Sequence, residues 1–172
     1  MTDTSTDSAA TGAPPTPVQV YRVFIRATPE AIWEAITSPE WSDRFGYGGT
    51  VEYDLRPGGS MRTHANAQMK QFGAPDIVVE GEVLEVDPPR RLVQTWRMLM
   101  DPEPEGFTRL TYEIDPTDDG VTRLTVTHDL TGAPRLSLVS DGSELGEGGG
   151  GWPWILSGLK TLLETGEPME PR

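Results

Sequence analysis

Between residues 50 and 130 the chain repeats one unit, a run of alternating side chains followed by a turn too short to hold a crossover. Residues 50–56, 60–65, 77–86, 91–100, 107–114 and 121–130 read as strands, punctuated by Pro57, Gly58 and Gly59, by Asp87, Pro88 and Pro89, and by the turn at 115–120. Parallel pairing needs a connection of about a dozen residues or more, so most of these neighbours must run antiparallel. Residues 17–27 are similarly rich in β-branched and aromatic side chains and add a first strand. The expectation is a seven-strand antiparallel meander.

Alternation then assigns faces. Gln94, Trp96 and Met98, Leu110, Tyr112 and Ile114, and Leu124, Val126 and His128 form one set. Thr95 and Arg97, Arg109, Thr111 and Glu113, and Arg123, Thr125 and Thr127 form the other, which is polar enough to meet water. The apolar face needs a cover, and residues 151–164 supply one. Trp152, Ile155, Leu156, Leu159, Leu162 and Leu163 fall at helical spacing on a single stripe. Gly148 to Gly151 free the chain before it, Pro153 fits its first turn, and Gly166 with Pro168 stops it. Burying six such side chains contributes on the order of 10 kcal/mol before ordering costs. Two further short helices are expected after the first strand, opened by Thr28-Pro29-Glu30 and Ser38-Pro39-Glu40 and ending near Phe45.

The 172 residues suit one domain, over 18–165, between a disordered tail at 1–17 and a short tail at 166–172. With 14 Lys and Arg against 27 Asp and Glu, the net charge of −13 opposes nucleic acid and anionic membranes as partners. No cysteine is present, which removes disulfides, thiolate zinc sites and cysteine nucleophiles. Without a secretory signal or an apolar stretch of membrane-spanning length, the expected location is the cytoplasm.

The order of elements is that of a helix-grip α+β fold, and several motifs carry a resemblance. They are Ala27 to Trp33 (ATPEAIW), Asp54 to Gly59 (DLRPGG), Gly81 to Leu92 (GEVLEVDPPRRL), Thr95-Trp96, Thr127-His128 and Gly151-Trp152. In these the chain resembles the activator of Hsp90 ATPase homologue-like group of the SRPBCC (START and Bet v allergen) superfamily. The resemblance implies a curved sheet gripping a long C-terminal helix, with an elongated apolar cavity between them for a lipid, a polyketide or another hydrophobic small molecule. It implies no cofactor, and a homodimer is compatible with it.

Gln94, Trp96, Met98, Tyr112, His128 and Trp152 are the candidate ligand-binding residues. Aromatic and thioether groups suit apolar guests, with Gln94 and Tyr112 as polar anchors, though plain packing against the helix accounts equally for Trp96, Met98, Tyr112 and Trp152. His128 is either a proton-transfer group at the cavity mouth or a sheet-edge histidine with a satisfied ring. His64 shares parity with Arg62 and should face solvent, and no third ligand accompanies the two histidines, so no metal site is expected. Trp154 should cover the cavity rim or the short helices. Arg22, Arg97 and Arg109 are either a solvated sheet face or readers of a carboxylate. The glycine run lacks the Lys and Ser or Thr of a phosphate loop. The connection at 129–150 reads as irregular and as a lid. No nucleophile, base and orienter occur together, so no catalytic residue is assigned. Three functions follow: ligand binding without chemistry; a polyketide cyclase or aromatase using His128, Tyr112 or a lining Glu; and stimulation of a chaperone ATPase.

Overall fold

The computed structural model describes residues 17–143 and 150–170. The expected tail before Pro17, the Gly148 and Gly149 part of the glycine run, and the last two residues lie outside the described residues. Seven strands form one antiparallel sheet: β1 (Val18–Ile25), β2 (Thr50–Tyr53), β3 (Ser60–His64), β4 (Ile77–Asp87), β5 (Arg91–Met98), β6 (Thr108–Pro116) and β7 (Thr122–Asp129). Their spatial order is β1-β7-β6-β5-β4-β3-β2. Strands β2 to β7 therefore pair with their neighbours in sequence, and β1 closes on β7 to become an edge.

The cover is α5 (Gly151–Thr165), which lies over the β1, β7 and β6 side of the concave face. Trp152, Leu156 and Leu159 are buried in one cluster with Ile25, Leu110, Ile114, Leu124 and Val126, Ile155 and Leu163 flank this core, and Leu162 is buried as well. Gly158 lets the helix lie close to Phe45 and Gly46, where a methyl group would stand 3.1 Å from a backbone nitrogen. Near its end α5 also guards the sheet edge: the Lys160 Nζ donates to the Phe24 carbonyl at 2.6 Å and the Glu164 carboxylate accepts from the Arg26 amide at 2.8 Å.

The two helices after β1 are α1 (Pro29–Thr37) and α2 (Pro39–Ser42). Thr28 caps α1 by accepting from the Ala31 amide, with Pro29 in the first turn. The second helix is shorter than expected, stopping at Ser42 rather than near Phe45. The Ser42 hydroxyl accepts from the Val51 amide, tying the chain to β2.

Two short helices occupy stretches expected to be irregular. α3 (Ala67–Gln71) is nucleated by Asn66, whose side chain accepts from the Met69 amide at 2.8 Å. α4 (Pro134–Ser140) interrupts the connection at 129–150; its own N-cap is Ala133, which offers no side-chain acceptor. Glu105, thirty residues away, fills that role: its two carboxylate oxygens accept from the Arg135 and Leu136 amides at 3.0 and 2.9 Å. No helix among the described residues is long and apolar enough to cross a membrane.

Candidate functional site

The inward-facing residues divide into a dry half and an open half. Leu110, Ile114, Leu124 and Val126, beneath α5, are at most 1% exposed. Tyr53, Trp96, Met98 and Tyr112 share the concave face but remain only half-buried. Trp96 touches three separate apolar clusters: the α5 core, a second around Met61, Val78 and Val79, and a third formed by Leu130, Ala133 and Leu136. Trp96 is therefore the side chain that these three clusters share.

Of the six expected lining residues, the structure gathers all six but gives them different surroundings. His128 and Trp152 are buried and belong to an aromatic cluster. The His128 ring stands edge-on to Trp96 at 5.3 Å and to Trp152 at 6.0 Å, and Trp152 stands edge-on to Tyr112 at 6.1 Å. Gln94 is 1% exposed, and its Oε1 accepts from the Tyr53 hydroxyl at 2.8 Å. Tyr112, Trp96 and Met98 remain half-buried, and Met98 lines the groove described below.

The hydrogen bonds of His128 define its state. The Trp152 indole Nε1–H donates to His128 Nδ1 at 3.1 Å, so Nδ1 carries no proton and the neutral ring holds its proton on Nε2. That nitrogen lies 2.7 Å from the Thr108 hydroxyl, which donates onward to the Trp96 carbonyl at 2.9 Å. Each donor in this series has an acceptor. Burial disfavours the imidazolium and lowers the His128 pKa to about 4, with Asp129 opposing only in part. His128 is therefore a satisfied ring in the wall, not a proton carrier at the mouth.

The two tyrosines differ. Burial raises the pKa of both, and their mutual proximity adds to the rise at Tyr112. Tyr53 is spoken for by Gln94, whereas the Tyr112 hydroxyl has no hydrogen-bond partner among the described residues. Tyr53 was missing from the expected set because its role depends on β2 meeting β5 across the concave face, a pairing of side chains 41 positions apart.

An elongated cavity along α5 was expected. A groove about 230 Å³ in volume lies at the end of the sheet, between α4 and the β5–β6 loop. Met98, Leu136 and Val139 provide its apolar lining, with Asp101, Glu105 and Arg135 at the rim. Trp96 and Met98 pack against the cluster of Leu130, Ala133 and Leu136, so the groove lies close to Trp96. α4 is fastened over this end at both termini. Arg135 pairs with Asp101 at 2.9 Å, beside the Glu105 cap, and at the other end Tyr21 donates to the Ser140 carbonyl at 3.1 Å while Gln19 donates to the Ser137 carbonyl at 2.9 Å. Replacing Glu105 by Ala removes two charge-assisted acceptors from the helix start. Hydrogen exchange at the Arg135–Val139 amides should then speed up by about tenfold, equivalent to about 1.4 kcal/mol, while β6 and β7 amides keep their protection. Uniform acceleration across the sheet would refute local fastening.

The remaining candidates face outward. Arg97 pairs with Glu80 and lies over the Phe107 ring, while Arg22 and Arg109 are exposed. His64 is on the surface beside Glu52, its Nε2 2.8 Å from the carboxylate. Trp154 lines a small cleft with Arg44, Phe45 and Gly46, on the short-helix side. No group of three or more possible metal ligands occurs among the described residues.

The activator of Hsp90 ATPase homolog 1-like family model matches residues 26–164, most of the chain and all of the grip from α1 to α5. The chain belongs to that family. Solved structures similar to this family member include MLL2253 from Mesorhizobium loti, at 23% identity and a TM-score of 0.63, covering 85% of this chain and 96% of that one. DynU16, from the dynemicin biosynthetic locus, matches at 24% identity and a TM-score of 0.63 over 90% of this chain, which spans 49% of DynU16. The Aha1 dimer from Colwellia psychrerythraea matches at 18% identity and a TM-score of 0.60, covering 87% and 97%. At these identities the likeness establishes the helix-grip fold that the activator-like family shares. A search of curated proteins finds no match.

Proposed function

We propose that this protein binds an apolar small molecule over Trp96 and Tyr112, reached through the groove beside α4, and performs no chemistry on it. The observation that carries this reading is the Tyr112 hydroxyl, inward-facing, half-buried and without a protein partner among the described residues, next to a half-buried tryptophan. The groove of about 230 Å³ beside α4, with Met98, Leu136 and Val139 as its apolar lining, offers room for such a guest. Aromatic walls with a few polar anchors are the usual make-up of small-molecule sites.

The cyclase reading loses one of its candidate acid–base groups, because both ring nitrogens of His128 are engaged by Trp152 and Thr108, and rests on Tyr112 or a lining Glu. DynU16, one of the similar structures, comes from the dynemicin biosynthetic locus. The family description points to chaperone ATPase activation, which co-purification with the chaperone and a raised ATPase rate would support. A thermal-shift panel of lipids and fused-ring aromatics tests the binding reading. At about 100 times its dissociation constant a true ligand adds about 2.7 kcal/mol, a rise of several degrees for a domain of this size. Silence across the whole panel would reject it.

A further inference from the structure

Strand β1 pairs with β7 on one side only. In an antiparallel pair alternate residues turn both main-chain groups toward the partner strand, and the Leu130 amide, donating to the Pro17 carbonyl at 2.6 Å, marks the odd-numbered positions of β1 as those that do so. The N–H and C=O groups of Val18, Val20, Arg22 and Phe24 therefore point away from the sheet. Lys160 takes the Phe24 carbonyl, whereas the main-chain groups of Val18, Val20 and Arg22 engage nothing among the described residues. The side chains here are apolar and exposed: Val18 by 40%, Val20 by 44%, and Leu138 of α4, beside the Ser137 that receives Gln19, by 61%. β1 contains no acidic residue, so the charge of the whole protein is not concentrated along it.

This stretch is complementary to itself. With two copies of β1 laid antiparallel and Val20 opposite Val20, Val18 of each copy falls opposite Arg22 of the other, and each opposed pair exchanges two main-chain hydrogen bonds. Opposed residues share a face, and Val18 is itself opposite Asp129 of β7. Arg22 thus lies on the same face as Asp129 of the second copy, two strand spacings or about 10 Å away between Cα atoms, within reach of a guanidinium. Arg22 has no ion pair among the described residues, and Thr131 occupies only Oδ1 of Asp129, at 3.1 and 2.6 Å, leaving Oδ2 to accept. The contact occurs twice, as a two-fold axis requires. We propose that residues 18–22 form a docking edge for a second copy of this chain, with Val20 on the axis and Arg22 paired with Asp129 across it. Five residues from each copy bury less than the roughly 800 Å² per partner of stable complexes, so the dimer is a weak one.

Sedimentation equilibrium of the full chain tests this, in salt of about 0.15 M so that repulsion between distant charges is screened. The mean mass should climb from 18.8 kDa toward twice that value as the protein goes from micromolar to millimolar concentration. Val20→Pro removes an N–H that β7 does not use, and should weaken association about tenfold or more. Arg22→Glu leaves the backbone intact, sets like charges against each other, and should weaken association about tenfold. Combining Arg22→Glu with Asp129→Lys should restore it, which a general loss of stability in either variant would not do. A monomer at every concentration would overturn the proposal. A dimer indifferent to both Val20→Pro and Arg22→Glu would overturn it as well, by placing the contact on another surface. Failure of the double reversal to recover association would overturn the register centred on Val20.

Discussion

Acidification from pH 7 to pH 4 should cost this protein about 3 kcal/mol through His128 alone. An exposed histidine in the unfolded chain takes up a proton near pH 6.5, whereas burial delays that uptake in the folded protein to about pH 4. In this interval the unfolded state binds more protons, so stability rises with pH, is fully present above about 6.5, and is lost as pH falls toward 4. At about 1.4 kcal/mol per pH unit, the interval amounts to about 3 kcal/mol. Several surface carboxylates, Asp129 and Glu164 among them, have depressed pKa values and withdraw stability only at lower pH. Urea unfolding of the wild type and of His128→Asn at pH 7 and pH 4 separates the two effects, since the carboxylates are common to both proteins. The variant should be weaker at pH 7 and should lose about 3 kcal/mol less on acidification. Equal losses in both proteins would show that His128 is hydrated in the folded state.

Gly81→Ala should be at least as damaging. Gly81 sits in β4 opposite Met61 of β3, between the Glu80–Arg97 and Val83–Gln94 pairs that β4 makes with β5. A methyl group there would stand 2.0 Å from the Thr95 carbonyl oxygen, a backbone atom that cannot rotate away. The next residue, Glu82, donates its amide to the Thr95 hydroxyl at 2.8 Å, which holds the two strands close here. To admit the methyl, β4 must part from β5 beside Trp96, at an expected cost of about 3 kcal/mol or more. Gly106→Ala is the control: nothing lies within 4 Å of the added carbon, so its effect should stay within about 0.5 kcal/mol. Denaturant midpoints of the two variants compare them directly, and a mild Gly81→Ala would mean that the two strands separate more easily than their close approach suggests.

The residues that were legible in the sequence are those whose partners follow from local periodicity. Trp152, Leu156, Leu159 and Leu162 announce a buried helical stripe by spacing alone, and the alternation in β5, β6 and β7 assigns Leu110, Leu124 and Val126 to the face beneath it. The site was less legible because its decisive contacts join distant positions. The neutral state of His128 is set by Trp152, 24 positions on, and by Thr108, 20 positions back. α4 escaped notice for the same reason. Pro134 in its first turn and Leu136 facing inward were visible, but Ala133 is a poor cap, and the acceptor that starts the helix belongs to Glu105 in another loop.

The contacts of Lys160 and Glu164 with β1 also bear on how molecules meet. The outer rim of β1 offers main-chain groups to which a foreign strand could add, but at its C-terminal end two of them, the Phe24 oxygen and the Arg26 nitrogen, are stoppered by side chains of the terminal helix. A neighbouring strand that zippers along this rim runs into the helix after Arg22, and each added copy brings thirteen more negative charges. The same helix that seals the interior thus shortens the ledge on which fibrils could begin.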